Sequence, residues 1–564
     1  MFFLGVTTML RSAVSASRSC APALLATLLA LATPAAHALQ PTVLYSFDLP
    51  PDGGWPEATL VSDSAGNLYG TTTWGGPISS SGNACQRSYG CGTVFKLTPG
   101  PLNTYTKTIL HEFSADPDGT APKAEALAID AAGNLYGTTA AGGGPCTPTQ
   151  CGTVFKLSRN ATGAYTESVL WKFGSGTDGG APMGGVIADS SGNLYGTTML
   201  GGNTTACAPN GCGTVFKLTP SGTGSYTESA IWKFNGGSDG SVPQSGLVAD
   251  GAGNLYGTTT RGGNTGCVAG PPGCGTVFKL SPNGAGGYTE SVLHVFSANT
   301  TDGYDPTAKL AIDSAGNLYG TVRSAGAHYR GAVFKLSPST NGAYVETILY
   351  SFGGGNTDGA YPFGGVVIGD AGALYGTTQR GGDSTCQDGC GTIYKLLPNA
   401  AGSYDETVLA RFAGWQDGSN PLSTLMLDAL GDLYGTARDD GIHGKGTVFK
   451  LSERPEAPEL ALVSALLPYY QILFGVTADG GGAVITASGK VIKVPPRPGD
   501  KVMAAVAQSV RAMEQAIAAR EAARVATGSK ARKLRGQSVK ELQDAAQAMK
   551  DAESKLAREV EAEQ

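Results

Sequence analysis

The tetrapeptide Leu-Tyr-Gly-Thr occurs seven times, beginning at Leu68, Leu135, Leu194, Leu255, Leu318, Leu374 and Leu433, with a period of 56 to 67 residues. Gly-Thr-Val-Phe-Lys-Leu or a close variant follows each copy, starting at Gly92, Gly152, Gly213, Gly275, Gly331, Gly391 and Gly446. A third recurrent segment ends in Phe, at 43–47, 109–113, 169–173, 230–234, 292–296, 348–352 and 408–412, and a fourth, short and apolar, precedes each Leu-Tyr-Gly-Thr. All four are short, rich in β-branched and aromatic side chains, and bounded by Gly, Pro, Asp or Ser, which is how strands read in a sequence. Seven units of four strands predict an all-β chain folded as a seven-bladed β-propeller over residues 39–455, because blades of this length bury both sheet faces against their neighbours. A β-helix needs a much shorter repeat. The phase of the repeat sets the strand order from the axis outward: the short apolar segment, Leu-Tyr-Gly-Thr, Gly-Thr-Val-Phe-Lys-Leu, then the Phe-ending segment. The last unit lacks its outer strand, and the N-terminal segment 43–47 supplies one, so the ring closes without an exposed edge.

Composition supports this reading and excludes others. Of 564 residues 84 are Gly, about twice the usual share, while 41% are apolar, enough for a core. The 39 basic and 45 acidic residues nearly balance, so no electrostatic footprint for nucleic acid is visible. Residues 1–38 read as a signal peptide: Arg11 and Arg18 precede an apolar run, and Ala36-His37-Ala38 supplies a small-x-small cleavage pattern. A membrane-spanning helix is disfavoured because the run is short and ends at Pro34. Cys20 lies before the apolar run, which argues against a lipoprotein site.

Beyond the repeats, residues 456–499 read as an apolar segment and a β-hairpin linker. The uncharged stretch 460–476 is only 17 residues long and contains Pro468, so packing against a neighbouring segment is favoured over a spanning helix. Residues 500–564 read as a helical hairpin or coiled-coil tail: Met503, Val506, Val510, Met513 and Ile517 form one apolar stripe, and Ser538 with Glu541 caps a second. The tail is an expected means of envelope attachment or self-association.

The combination of Gly-Asn-Leu-Tyr-Gly-Thr-Thr, Gly-Gly and Gly-Cys-Gly-Thr-Val-Phe-Lys-Leu over residues 42–451 resembles the GloVer tandem repeat of bacterial choice-of-anchor secreted proteins. That resemblance implies a secreted, periplasmic or surface location with varied C-terminal anchors, and it implies no particular chemistry. Members with a sorting signal carry a Pro-rich motif, an apolar helix and basic residues, whereas this sequence ends in Ala-Arg-Glu-Val-Glu-Ala-Glu-Gln.

Ten of eleven cysteines fall in close pairs between the second and third segments of a unit: Cys85 with Cys91, Cys146 with Cys151, Cys207 with Cys212, Cys267 with Cys274, and Cys386 with Cys390. Local disulfides that stiffen long loops are expected. Zinc is not, because the pairs lie on separate units without accompanying His. The fifth and seventh units lack the pair and have the shortest connections. Asp-Gly-x-x-Pro recurs at 52–56, 118–122, 178–182, 239–243, 302–306, 358–362 and 417–421, and reads as a turn between units. Calcium at these Asp residues is the sharper alternative, but one carboxylate per loop falls short of its ligand requirement. The Asp of Asp-x-x-Gly-Asn-Leu-Tyr, at Asp63, Asp130, Asp189, Asp250 and Asp313, reads as a hairpin turn. No cofactor and no metal are expected.

Residues beside each repeated Pro vary while the scaffold does not. Before it stand Trp55, Ala121, Ala181, Val242, Asp305, Tyr361 and Asn420, and after it Glu57, Lys123, Met183, Gln244, Thr307, Phe363 and Leu422. These loops and the cysteine-bearing loops are expected on one face, so Trp55, Glu57, Trp74, Tyr304, Asp305, Tyr361, Phe363, Trp415 and Asn420 are the candidate ligand-binding residues. No nucleophile elbow, metalloprotease helix, P-loop or dinucleotide fingerprint occurs, and His111 and His294 read as packing residues in outer strands. The sequence therefore predicts a non-catalytic binding module for a glycan or protein. The alternative is an extracellular carbohydrate-active hydrolase or lyase using asymmetric carboxylates such as Glu57 and Asp305.

Overall fold

The computed structural model describes residues 39–453 except 49–50, 77–88, 101–103, 115, 124, 145–150, 175, 223, 264–265, 268–272, 285, 298–301, 325–327, 341, 383–384 and 401, together with strands Gly482–Ile485 and Val491–Val494. The expected signal peptide, the apolar stretch 460–476 and the expected helical tail lie outside the described residues. No helix among the described residues is long and apolar enough to cross a membrane. The strands Gly482–Ile485 and Val491–Val494 pair antiparallel, Gly482 opposite Val494.

Seven four-stranded antiparallel sheets form the blades of a β-propeller. Blade 1 contains Val61–Ser62, Leu68–Thr72, Thr93–Pro99 and Tyr105–Glu112, hydrogen-bonded in that order. Blades 2 to 6 repeat it. In blade 7 the strands Met426–Leu427, Asp432–Ala437 and Thr447–Ser452 are completed by Thr42–Ser46, which pairs antiparallel with Thr447–Ser452. The N-terminal strand thus closes the ring, in the order and at the place that the repeat phase predicts. Outer strands run longer than the sequence reading places them, from Tyr105 rather than Ile109 in blade 1, because their first half alternates half-buried and exposed residues and carries little apolar signal.

The repeated motifs are the contacts between blades. Each Phe that ends an outer strand meets the Phe or Tyr of the next blade's third strand edge-on, from Phe47 against Phe95 to Phe412 against Phe449, with ring centroids 5.0 to 5.2 Å apart at all seven seams. The Gly of Leu-Tyr-Gly-Thr makes room for that ring: a Cβ on Gly257 would lie 2.6 Å from Phe278 Cζ. The Gly that opens the third strand receives the Pro of the next blade. A Cβ there would stand 2.3 to 2.8 Å from the Pro Cδ in every seam, as at Gly92 against Pro122, and its φ is near +100°. Gly is required there on both counts.

Turn residues do what the sequence suggests. Asp63 Oδ1 accepts the Ala65 and Asn67 amides at 2.9 and 3.0 Å, and Oδ2 accepts Asn67 Nδ2 and Tyr69 Oη at 2.7 and 2.9 Å. Burial opposes ionisation, but these donors hold the Asp63 carboxyl below its ordinary pKa, and the same holds at Asp130, Asp189, Asp250 and Asp313. The Asp of Asp-Gly-x-x-Pro caps the chain as it leaves the outer strand, as when Asp118 Oδ1 accepts Ser114 N at 3.1 Å.

Candidate functional site

The residue before each repeated Pro adopts a left-handed backbone, with φ between 52° and 65° at Trp55, Ala121, Ala181, Val242, Asp305, Tyr361 and Asn420. That region is unfavourable for bulky or β-branched side chains, and it persists only where neighbours fix it. Two backbone hydrogen bonds do so here. The residue's N–H donates across the seam to the carbonyl just before the preceding blade's third-strand Gly, as Ala121 N does to Cys91 O at 2.8 Å, and its own carbonyl accepts from its own blade, as Ala121 O does from Ala140 N at 3.0 Å. The pattern recurs in all seven seams. It brings the loops before the Pro and the loops between second and third strands onto one face, as expected.

The side chain after each Pro consequently points to the axis. Glu57, Lys123, Met183, Gln244, Thr307, Phe363 and Leu422 all line a cavity of about 290 Å³ at that end of the ring, joined by Arg323, Gln379 and Arg438 from the second-strand ends. Glu57 Oε1 lies 2.8 Å from Arg438 Nε, and Oε2 lies 3.4 Å from Lys123 Nζ. Arg323 lies 3.9 Å from Asp305 and 5.8 Å from the Phe363 ring centroid. Burial pushes the Asp305 pKa up, against the opposing pull of Arg323 and Arg261. Two carboxylates, three cations, two amides and an aromatic face thus converge on one axial pocket.

Its floor is a residue that sequence reasoning missed. Glu125, half-buried, accepts Gly246 N and Lys309 N at 2.6 Å each through its two oxygens, reaching from the start of blade 2 to the segments that lead into blades 4 and 5. Burial raises its pKa while those amides and the Lys309 charge oppose. One signal was available: five residues carry the chain from Pro122 to Leu127, whereas four carry it from Pro56 to Leu60 and from Pro243 to Leu247.

Of the nine candidates, Glu57 and Phe363 line the axial pocket and Asp305 reaches it through Arg323. Trp55 and Trp74 flank Tyr89 in a separate small cleft, where Lys445 Nζ sits 4.7 Å from the Trp55 ring centroid. Tyr361 lies under Arg330, whose guanidinium is 5.5 Å from the ring and donates to Tyr361 Oη at 3.1 Å. Tyr304 packs against the core between blades 4 and 5, Asn420 Nδ2 donates to Asp439 Oδ2 at 2.7 Å, and Trp415 is 79% exposed.

Disulfides join Cys207 to Cys212, Cys267 to Cys274 and Cys386 to Cys390. Cys91 and Cys151 are disulfide-bonded too, and Cys85 and Cys146, assigned to them by sequence, lie outside the described residues. These bonds fit an oxidising compartment. The histidines are more than packing: His111 Nε2 is 2.9 Å from Asp118 Oδ2 and His294 Nε2 is 3.1 Å from Asp302 Oδ1.

Residues 265–464 match the Gloeobacter/Verrucomicrobia repeat, so over that stretch the resemblance read from the sequence is borne out. No curated protein matches the chain. Among solved structures, a protein of unknown function from Dyadobacter fermentans is similar at 10% identity and a TM-score of 0.35, over 74% of this chain and 99% of that one. An ancestral GH74 enzyme aligns at 10% identity and a TM-score of 0.41, over 72% of this chain and 52% of that one. A variant of the NanB sialidase from Streptococcus pneumoniae aligns at 9% identity and a TM-score of 0.35, over 75% and 72%.

Proposed function

We propose that this chain, whose residues 265–464 carry the Gloeobacter/Verrucomicrobia repeat within a seven-bladed propeller, is a secreted or cell-surface binding module that takes a polar group of a glycan or protein in its axial pocket. The observation that carries this reading is the asymmetry of one ring of positions. Seven seams use the same Pro, the same Gly and the same backbone bonds, yet the next side chain is Glu, Lys, Met, Gln, Thr, Phe or Leu, and all seven face one cavity. A scaffold that needed only to connect blades has no use for such variety. Glu57 between Arg438 and Lys123, with Phe363 and the amides of Gln244 and Gln379 nearby, suits a ligand that offers hydroxyl or charged groups beside an apolar face.

A hydrolase or lyase at the same pocket is the second reading, favoured by the presence of two carboxylates, Glu57 and Glu125, in different environments. Against an acid role for Glu125, both its oxygens already accept backbone amides. Glycan and protein arrays probed with the full chain, run beside a polymer-cleavage assay, separate the readings. Binding without cleavage is expected, weakened at least tenfold by Glu57→Gln and by Arg438→Gln. Cleavage that disappears with Glu57→Gln supports the hydrolase. Binding lost instead with Trp55→Ala and Tyr361→Ala moves the ligand to the rim, and binding insensitive to all four substitutions overturns the pocket.

A further inference from the structure

Away from the axis, on the outer side of the seam between blades 4 and 5, three polar side chains from three segments meet. His294 belongs to the outer strand of blade 4, Asp302 to the loop after it, and Glu346 to the outer strand of blade 5. His294 Nε2 stands 3.1 Å from Asp302 Oδ1 and 3.6 Å from Glu346 Oε1, and the three ligand atoms lie within 4.8 Å of one another. Asp302 Oδ2 is occupied separately, by Ser297 N at 2.8 Å and Ser297 Oγ at 2.7 Å, which orients the carboxylate and leaves Oδ1 to the imidazole. Glu346 Oε1 is shut off from solvent and accepts no hydrogen bond, and the same holds for the equivalent Oε1 of Glu167, Glu228, Glu290 and Glu406. Among the described residues, Glu346 alone of these has an imidazole nitrogen and a second carboxylate oxygen within 4.8 Å, so that a cation placed there would meet three ligand atoms at once.

The molecule shows what fills this position elsewhere. In the seam between blades 7 and 1, the residue equivalent to Glu346 is Lys107, and its ammonium sits 2.7 Å from Asp52 Oδ1, also contacting Asp52 O, with only 5% of the side chain exposed. One seam therefore carries its own positive charge where the other supplies acceptors around the same place. The seam between blades 4 and 5 adds an imidazole nitrogen, where Trp171, Trp232, Tyr350 and Ala410 stand in other blades. Metal–ligand bonds of about 2.0–2.2 Å in a tetrahedral shell put neighbouring donors about 3.3 Å apart, and the measured 3.1 and 3.6 Å straddle that spacing.

We propose that His294, Asp302 and Glu346 bind a zinc-class divalent ion that clasps blades 4 and 5, with water completing its shell. One imidazole and two carboxylates suit a borderline transition ion, whereas calcium and magnesium favour an all-oxygen shell with more ligands. His111, Asp118 and Glu167 repeat the residue types between blades 1 and 2, but among the described residues only the His294 trio has all three ligand atoms within 4.8 Å.

The test is zinc titration of the chelator-stripped full chain against a chromogenic chelator, with thermal melts at matched zinc. Wild type is expected to bind zinc and to melt higher with it. His294→Gln and the isosteric Glu346→Gln should each weaken the tightest zinc binding at least tenfold and abolish the zinc-dependent rise in Tm, while their zinc-free melts stay cooperative. If His294→Gln does not fold, Glu346→Gln carries the test. Zinc affinity and thermal shift unchanged in Glu346→Gln, or stabilisation by calcium and not by zinc, overturns the proposal.

Discussion

Five of the seven seams hold the same carbonyl in place with a cystine, and two hold it with a cation lying on an aromatic ring. At the stapled seams the acceptor of the interblade bond is the carbonyl of the second cysteine, Cys91, Cys151, Cys212, Cys274 or Cys390, each essentially buried. At the two others the acceptor is Arg330 or Lys445, and its side chain covers the very residue whose N–H it receives, Tyr361 or Trp55. Aromatic residues precede the repeated Pro only at those two seams. The difference teaches that the fixed quantity is the position of one carbonyl, and that a short loop without a covalent bridge reaches it by a long cation packed flat on a ring. It also gives Trp55 and Tyr361 work within the scaffold, beside any contact they make with a ligand.

The largest effect should come from the part that both kinds of seam share. Gly391→Ala, at a stapled seam, and Gly331→Ala, at an unstapled one, each push a methyl against the Pro ring, 2.5 Å from Pro421 Cδ and 2.4 Å from Pro362 Cδ, at φ of +104° and +94°. Overpacking of about 1–3 kcal/mol adds to about 1–2 kcal/mol for a left-handed alanine. Both variants should lose at least about 2 kcal/mol in urea unfolding, or fail to accumulate folded. Tolerance of alanine at Gly391 but not at Gly331 would show that the cystine carries what the Gly–Pro contact is assigned here.

The next effect distinguishes the two kinds. Replacing Cys386 and Cys390 by Ser should cost about 2 kcal/mol or less, since the bridge closes only a very short loop. Amide exchange reads the consequence residue by residue: a reductant should loosen the amides of Ala121, Ala181, Val242, Asp305 and Asn420, which bond to cysteine carbonyls, and leave those of Trp55 and Tyr361 protected. Uniform loosening at all seven sets aside the local role of the bridges.

Much of this was legible in the sequence because repetition makes it so. Seven copies fix the strand number, the phase fixes the order, and the orphan segment at 43–47 can only belong to blade 7. The axial ring was half legible: Glu57 and Phe363 stand out because they follow an unvarying Pro. Glu125 was hidden, since the one extra residue between Pro122 and Leu127 marks a place without indicating a role, and that role depends on meeting Gly246 and Lys309 far along the chain. The left-handed residue before Pro was hidden too, because Trp, Val and Tyr are poor residues for that conformation and nothing local announces it. The pairing of Arg330 with Tyr361 becomes readable only when Arg330 is seen to occupy a cysteine's place in the repeat.

The smallest effect belongs to that pairing, and it decides whether the cation on the ring is a working substitute for a bridge or a bystander. Arg330 lies 5.5 Å from the Tyr361 centroid and also donates to its hydroxyl at 3.1 Å, so removing either side chain disturbs more than the stacking. A double-mutant cycle with Arg330→Met and Tyr361→Phe, then Tyr361→Leu, separates the parts. The methionine keeps the apolar stem, the phenylalanine keeps the ring and drops the hydrogen bond, and the leucine drops both. A partly exposed cation–π contact is worth about 0.5–1 kcal/mol, so the coupling of Arg330 to the ring in the Tyr361→Phe background should remain near that value and vanish with leucine. The Lys445–Trp55 pair, closer at 4.7 Å and on the larger ring, should couple at least as strongly. Amide protection of Tyr361 should fall in step with the coupling, because the same Arg330 that covers the ring presents the carbonyl. Zero coupling at both seams, with those amides still protected, would mean that the short loops hold the carbonyl unaided and that the aromatic residues stand before Pro for the sake of a ligand.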